Sequence, residues 1–554
     1  YDRNSNRISI GYPDGAMASY TFDYADREAS LEFDAGSGAQ QVVTSASYLP
    51  SGLLDGLALG NGLEEIRPYD SRYYPDAIRV SDGLADLLHW DYATDGVGNP
   101  AGIVDVLNAS NNRVYAYQDY QYFLTQGDGP WGQRQWSYDR VGNRLTEQRG
   151  SDFDSYSYLP NAAMMGGNSP ILDEITENGS VVRSVQYDAA GHQTQDAGAG
   201  NVIDRTYDDA GRLSRQERPS ADDKADFLYD GRSFLRRAAG TGPAPAGAGV
   251  FCDDFESGDT SSWGAGPGST CLESSATGPT YDSSGLLHAV DATKVLYLAG
   301  RPVAQYEIEP LYLTTDHLRT PIQATDGLSA VRWEGGLESF GNDYSGARAA
   351  GVFLRLAGQW DPAVLGASPL ETSFYYNVMR WYEDQTGRYQ RADPFQELYR
   401  TPTYRFAVSN PLVFSDALGL FETPVGCAKR VAGEVSSAFL NRSRYQHCLA
   451  SCRITRECPG GRVTAVAAGF GKELDDFIQC VLGRVGKKCD GAFQPSDLGD
   501  NATGRGPFCQ PDECNARCDE LFKADEPPIG PFFWFNPELP PISLPFISVF
   551  GKKR

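Results

Sequence analysis

A short pattern of the form Tyr-Asp-x-x-Gly-(Asn/Arg)-x-Leu returns through the first half of this chain and leaves little choice of fold. It reads Tyr1-Asp2-Arg3-Asn4-Ser5-Asn6-Arg7-Ile8, then Tyr138-Asp139-Arg140-Val141-Gly142-Asn143-Arg144-Leu145, Tyr187-Asp188-Ala189-Ala190-Gly191-His192 and Tyr207-Asp208-Asp209-Ala210-Gly211-Arg212-Leu213. Looser copies start at Tyr69, Tyr229 and Tyr281. Internal similarity of this kind means that each unit buries its apolar face on its neighbours. Each copy reads as a strand, a turn and a return strand. Tyr ends a strand and stacks on its neighbour. Asp caps the turn through the backbone ahead of it. Gly or Asn takes the positive φ the turn needs, and Leu or Ile opens the next strand. Between copies the chain alternates as a half-buried strand does, as in Tyr20-Thr21-Phe22-Asp23-Tyr24. Because strands twist, a long series of hairpins curls into a wall. The spacing is irregular, whereas a propeller repeats every 40–50 residues or about that, so the pattern argues against a propeller.

The rest of the composition agrees. The chain holds 31 Tyr and 60 Gly against 4 Met, as suits strands joined by tight turns. Its formal charge of −25 is unevenly spread. Residues 1–420 carry 31 basic against 57 acidic side chains, and residues 421–554 carry 17 against 16. The break predicts two bodies with different jobs. The acidic body should repel nucleic acid and anionic membranes; the same charge also keeps a large surface soluble. No run of 18 apolar residues predicts a transmembrane helix, and the apolar tail 531–550 is broken by Pro537, Pro540, Pro541 and Pro545 into an extended arm. No signal peptide is legible, and the chain opens inside a repeat, so further repeats and any export signal are expected upstream. The Gly/Pro/Ser-rich stretch 239–280 reads as an inserted loop closed by a Cys252–Cys271 disulfide in an oxidising compartment. Its acidic run from Asp253 to Asp259 reads as a solvated loop, with Ca²⁺ ligation as the sharper alternative.

The repeat resembles the YD repeat of the RHS, teneurin and insecticidal-toxin C-component families, in which hairpins spiral into a hollow β-shell. Residues 310–420 resemble the RHS core that ends such a shell. Asp316-His317-Leu318-Arg319-Thr320-Pro321 matches the family's D-H-L-G-T-P, with Arg319 for Gly. Trp333 followed by Phe340-Gly341, Leu354–Trp360, Tyr375-Tyr376-Asn377-Val378-Met379-Arg380-Trp381-Tyr382 and Thr386-Gly387-Arg388-Tyr389 match in order, and lead into Asp393-Pro394 and Asp416-Ala417-Leu418-Gly419-Leu420. The resemblance implies a mainly β fold: a YD-repeat shell over 1–309, a core plug over 310–420, and a variable domain over 421–554. It also implies a single-turnover aspartyl autoprotease. Asp393 and Asp416 would be its carboxylate pair, Leu420–Phe421 its scissile bond, and Arg388, Pro394 and Gly419 its supporting motif. Two acids close together cannot both ionise, so one polarises the carbonyl while the other activates water. The first element carries Gln396 where the family has Gly, and the second carries Ala417 where it has Pro; the alternative is a plug that keeps only the fold. The four His of this part (His89, His192, His288, His317) are scattered and read as structural, and no phosphate loop or zinc-protease motif occurs.

Residues 421–554 hold nine of the eleven Cys. Cys448 and Cys452, and Cys514 and Cys518, each lie one helical turn apart, which predicts two helices stapled side by side by disulfides. Zinc is the rival; with His447 the domain's one His and no Cys-x-x-Cys, disulfides are expected and no metal or other cofactor. His447, Glu473, Asp476, Asn501 and Arg505 are candidate site residues that solvated helix faces explain as well. Two functions follow from the resemblance. One is a secreted bacterial protein whose shell holds its own C-terminal domain as cargo, with an upstream delivery or cap module and an immunity protein as partners. The other is a teneurin-like extracellular or cell-surface protein, adhesive or self-assembling as a homo-oligomer, whose Cys-rich end is a folded module.

Overall fold

The repeat's Asp makes one kind of turn. The computed structural model describes residues 1–420 apart from 5, 161–167, 199, 222, 241–277, 283–284, 366–372 and 395–403. In it Asp139 Oδ1 accepts the backbone N–H of Val141 at 3.0 Å and of Asn143 at 2.9 Å, and Gly142 between them takes φ +82°. Asp2, Asp70, Asp188, Asp208 and Asp230 accept the same two N–H groups. The residue four beyond the Asp staples one hairpin to the next. Arg212 Nε donates to Asp208 Oδ2 at 2.7 Å while its Nη1 donates to Asp230 O at 3.1 Å, and its guanidinium carbon lies 5.0 Å from the centre of the Tyr229 ring. Arg27 does the same from Asp23 to Leu49 O and the Tyr48 ring.

The motif's Tyr follows a β-bulge: register slips between Ser137 and Tyr138, Gln186 and Tyr187, Thr206 and Tyr207, and Leu228 and Tyr229. Stacking on a neighbour does occur, as between Tyr207 and His192 at 4.7 Å. The hydroxyl does more. Tyr207 donates to Gln193 O at 2.9 Å, and Tyr229 to Leu213 O at 2.8 Å. Tyr158, outside any copy of the motif, donates to Arg144 O at 2.7 Å. Each acceptor is the first residue of the partner strand, so the tyrosine satisfies backbone at the end of the pair.

Among the described residues, 21 strands from Ser9–Gly11 to Leu235–Gly240 form one antiparallel sheet. Every strand pairs with its neighbours in sequence, so the wall is a continuous meander. The expected strand at Tyr20–Tyr24 is instead Met17–Phe22, because Asp23 opens a turn of its own. The expected loop at 239 begins later, since strand continues to Gly240 and resumes at Thr280–Tyr281; Cys252, Cys271 and residues 253–259 lie outside the described residues.

A second meander of seven strands runs from Thr280–Tyr281 to Val331–Glu334, and its pairing passes unbroken across residue 310. Its strands from Leu287–Val290 to Pro321–Thr325 are buried on both faces, whereas Val331–Glu334 at the edge is largely exposed. Alternate residues explain why: Leu296 and Leu298 pack with the wall's Phe33, Val80 and Trp90, while Val295 and Tyr297 pack with Val352, Trp360 and Tyr376. A three-stranded sheet of Phe374–Asn377, Arg380–Glu383 and Arg388–Tyr389 completes the order.

This last part is seated on the turns of the wall. Asn410 Nδ2 donates to Tyr122 O at 2.8 Å, Ser409 Oγ to Gly142 O at 3.1 Å, and Tyr404 hydroxyl to Gly191 O at 2.6 Å. Arg391 Nη1 donates to Gly211 O, and Trp381 Nε1 to the Tyr229 hydroxyl at 2.9 Å. Turns far apart in sequence are thereby held to one segment. Among the described residues there is no α-helix, and no helix long and apolar enough to cross a membrane. The chain divides into Tyr1–Phe421 and Glu422–Arg554, and these strands and contacts all belong to the first unit. The helices and disulfides expected of Cys448, Cys452, Cys514 and Cys518, and the candidates His447, Glu473, Asp476, Asn501 and Arg505, lie outside the described residues.

Candidate functional site

The hairpin Phe374–Asn377/Arg380–Glu383 carries an Asn and an Arg in an aromatic run, and both are fully enclosed: Asn377 is 0% and Arg380 1% exposed. A buried cation has to be paired. Arg380 Nη2 lies 3.1 Å from Asp393 Oδ2 and 3.0 Å from Asp416 Oδ2, so one nitrogen holds both of the acids singled out by sequence. Its guanidinium carbon sits 3.6 Å from the centre of the Tyr389 ring, and Arg380 Nε donates to Gly419 O. The Tyr389 hydroxyl donates to Asp416 Oδ2 at 2.8 Å and accepts from Asn377 Nδ2 at 2.7 Å. Asn377 Nδ2 also reaches Asp416 O at 2.8 Å.

Asp416 to Leu420 folds as the repeat's turn, turned inward. Gly419 N–H donates to Asp416 O at 3.3 Å, and Leu420 N–H to Asp416 Oδ1 at 2.7 Å. Gly419 has φ +66°, and a Cβ there would lie 2.3 Å from Asn377 O. No other residue fits this position. Asp393 is 1% exposed and Asp416 8%. Burial pushes the Asp416 carboxyl above the usual carboxylate range. Arg380, the Tyr389 hydroxyl and the Leu420 N–H pull it back, and the charge of Asp393 adds to the push.

Sequence reasoning named Asp393, Asp416, Gly419 and Leu420, and the fold gathers these four around Arg380. It did not name Arg380, Tyr389 or Asn377 as parts of the site. The signal was present: isolated polar residues inside Tyr375–Tyr382 must be buried with partners. The expected reason for unequal acids was their mutual repulsion alone; Arg380 offsets that repulsion, and burial is the larger cause. Arg388 touches neither acid. Its Nη2 donates to Pro170 O and its Nη1 lies 3.5 Å from the Tyr158 hydroxyl, so it clamps this segment to the wall. Pro394 follows Asp393 and is exposed. Phe421 and Gln396 lie outside the described residues. The four His each find a partner: His89 lies 3.0 Å from Asp91, His192 2.9 Å from Asp188 and His288 3.2 Å from Asp282, and His317 lies 2.8 Å from Leu412 O.

No protein-family model matches the chain. Among curated proteins it is similar to the toxin protein Tse5 of Pseudomonas aeruginosa, 28% identical over 109 residues, which cover 20% of this chain and 8% of Tse5. Among solved structures it is similar to the TcdB2-TccC3-TEV crystal structure, with a TM-score of 0.52 and 16% identity over 76% of this chain and 21% of that one. It is also similar to the Photorhabdus luminescens Tc holotoxin pore, with a TM-score of 0.51 and 17% identity over 74% and 20%. The chain thus spans about a fifth of the length of those solved chains and under a tenth of Tse5.

Proposed function

We propose that this chain, an RHS/YD-repeat protein, is a secreted bacterial β-shell that cuts itself at Leu420–Phe421 and so frees residues 421–554 as an effector. One observation carries the reading: two buried carboxylates meet on one Arg380 nitrogen, and one of them, Asp416, also holds the N–H of Leu420 beside the bond to be cut. In the reaction, water attacks the Leu420 carbonyl carbon. Asp393 takes the proton of the water, and Asp416, raised by burial, keeps its proton and donates it toward the carbonyl oxygen. On collapse of the tetrahedral adduct the C–N bond breaks, Asp393 passes the proton it took to the Phe421 nitrogen, and a hydroxyl of the adduct returns a proton to Asp416, leaving a free carboxyl group on Leu420 and a free amine on Phe421. Arg380 holds the two acids in register, and the turn at Gly419 fixes the chain, so the peptide needs no binding step.

The test is the intact mass of the purified chain. The reading expects a fragment beginning at Phe421, present in the native chain and absent in Asp416→Asn and Asp393→Asn. A fragment that persists in either variant would overturn the assignment of the acids.

The nine Cys after residue 421 favour a second reading, a folded external module of an adhesive or self-assembling surface protein. Expression of residues 421–554 in bacterial cytoplasm separates the two. Growth arrest relieved by a cognate immunity protein supports an effector, whereas harmless expression, with disulfides formed once the same domain is exported to an oxidising compartment, supports the surface role.

A further inference from the structure

Arg405 is half-buried where the segment Tyr404–Asn410 crosses the wall's Asp139–Asn143 turn. Its side chain abuts that turn: a Cβ on Gly142 would come within 2.3 Å of Nη1. The Phe123 ring centre is 5.8 Å from its central carbon. Arg405 bridges Arg388 across an antiparallel pair, and Arg388 is only 5% exposed. Among the described residues neither has a carboxylate partner. Arg388 spends two nitrogens on Pro170 O and the Tyr158 hydroxyl, while the five N–H groups of Arg405 meet no acceptor among those residues. The nearby Asp139 is already committed, accepting from Val141, Asn143 N and Asn143 Nδ2. Two like charges are held side by side, Arg388 buried and Arg405 half-buried, an arrangement that costs stability unless an anion joins it.

We propose that Arg405, backed by Arg388, binds a small oxyanion of the phosphate or carboxylate kind, and that the anion fastens this segment to the wall. A guanidinium fork matches two oxygens of either group. Burial and the charge of Arg388 both push the Arg405 guanidinium below its ordinary value, against Asp139 alone, and an added negative charge would reverse that. The position is distinct from the Asp393–Arg380–Asp416 constellation, and the inference does not depend on cleavage.

The experiment uses the full chain with its two acids intact. Thermal unfolding is followed while phosphate, or separately acetate, replaces chloride at constant ionic strength. The inference expects one of the two to raise the Tm by roughly 2 °C at saturation, and which one does so names the anion. It expects Arg405→Gln to lose that rise, and to have a higher Tm than the native chain in chloride alone, because one of two neighbouring like charges has been removed. The inference is overturned if neither anion moves the native Tm beyond chloride, if the rise survives in Arg405→Gln, or if that variant is less stable in chloride.

Discussion

At the scale of single residues, buried charge decides what this molecule can do. Asp393 and Asp416 were legible in the sequence because they stand in short motifs. Arg380 was not, because its motif resembles a packing signature and only the fold reveals that two acids converge on it. Asp384 is another buried acid, 3% exposed, whose Oδ2 accepts from the Tyr375 hydroxyl at 2.9 Å. Burial, helped by Glu383, pushes it up to about 7. Between pH 4 and pH 7, or about that, the folded chain keeps a proton that the unfolded chain gives up, so stability falls as pH rises through this window and levels off above it. Asp384→Asn keeps the acceptor for Tyr375 and removes the ionisation. It should flatten this part of the stability profile and stabilise the chain at pH 8 by up to about 4 kcal/mol. Urea unfolding at pH 5 and pH 8 measures it, and equal losses of stability with pH in both proteins would refute it.

At the scale of the element, the repeat is defined by its turn more than by its name residues. The sequence yielded seven copies because Tyr was required beside Asp. The same two N–H bonds are made by Asp23, Asp95, Asp316 and Asp326, which follow Phe22, Thr94, Thr315 and Thr325. At those positions the pattern was hidden, since carboxylate geometry is invisible in sequence without the accompanying Tyr. The tyrosine's own contribution separates into two cases. Tyr207→Phe loses one hydrogen bond, to Gln193 O, and should cost about 1 kcal/mol. Tyr229 both donates to Leu213 O and accepts from Trp381 Nε1. Its replacement by Phe strands a buried indole N–H as well and should cost about 2–3 kcal/mol. Chemical unfolding of the two variants side by side tests the ordering, and equal costs would mean that the Trp381 contact contributes nothing.

At the scale of the whole described unit, a meander that pairs only neighbours should behave as a nearly one-dimensional array, able to melt piecewise. The strand content and the acidic wall were readable from the repeat and the charge break, but the cross-links were not, because they join residues 122, 142, 191 and 211 to one segment near residue 400 through backbone carbonyls that carry no sequence signature. Tyr404→Phe with Ser409→Ala removes two of those links, at Gly191 and Gly142, without touching the acids. Each loss costs about 1 kcal/mol, yet the larger effect should be on cooperativity. The native unit is expected to unfold in one guanidinium transition. In the double variant the hairpins around Asp139 and Asp188 should melt first, giving a second transition or a lower m-value. Hydrogen exchange should then place the new early opening in residues 134–198. A single transition of unchanged slope, shifted only in midpoint, would mean that the wall holds together through its strand pairs and the segment merely rests on it.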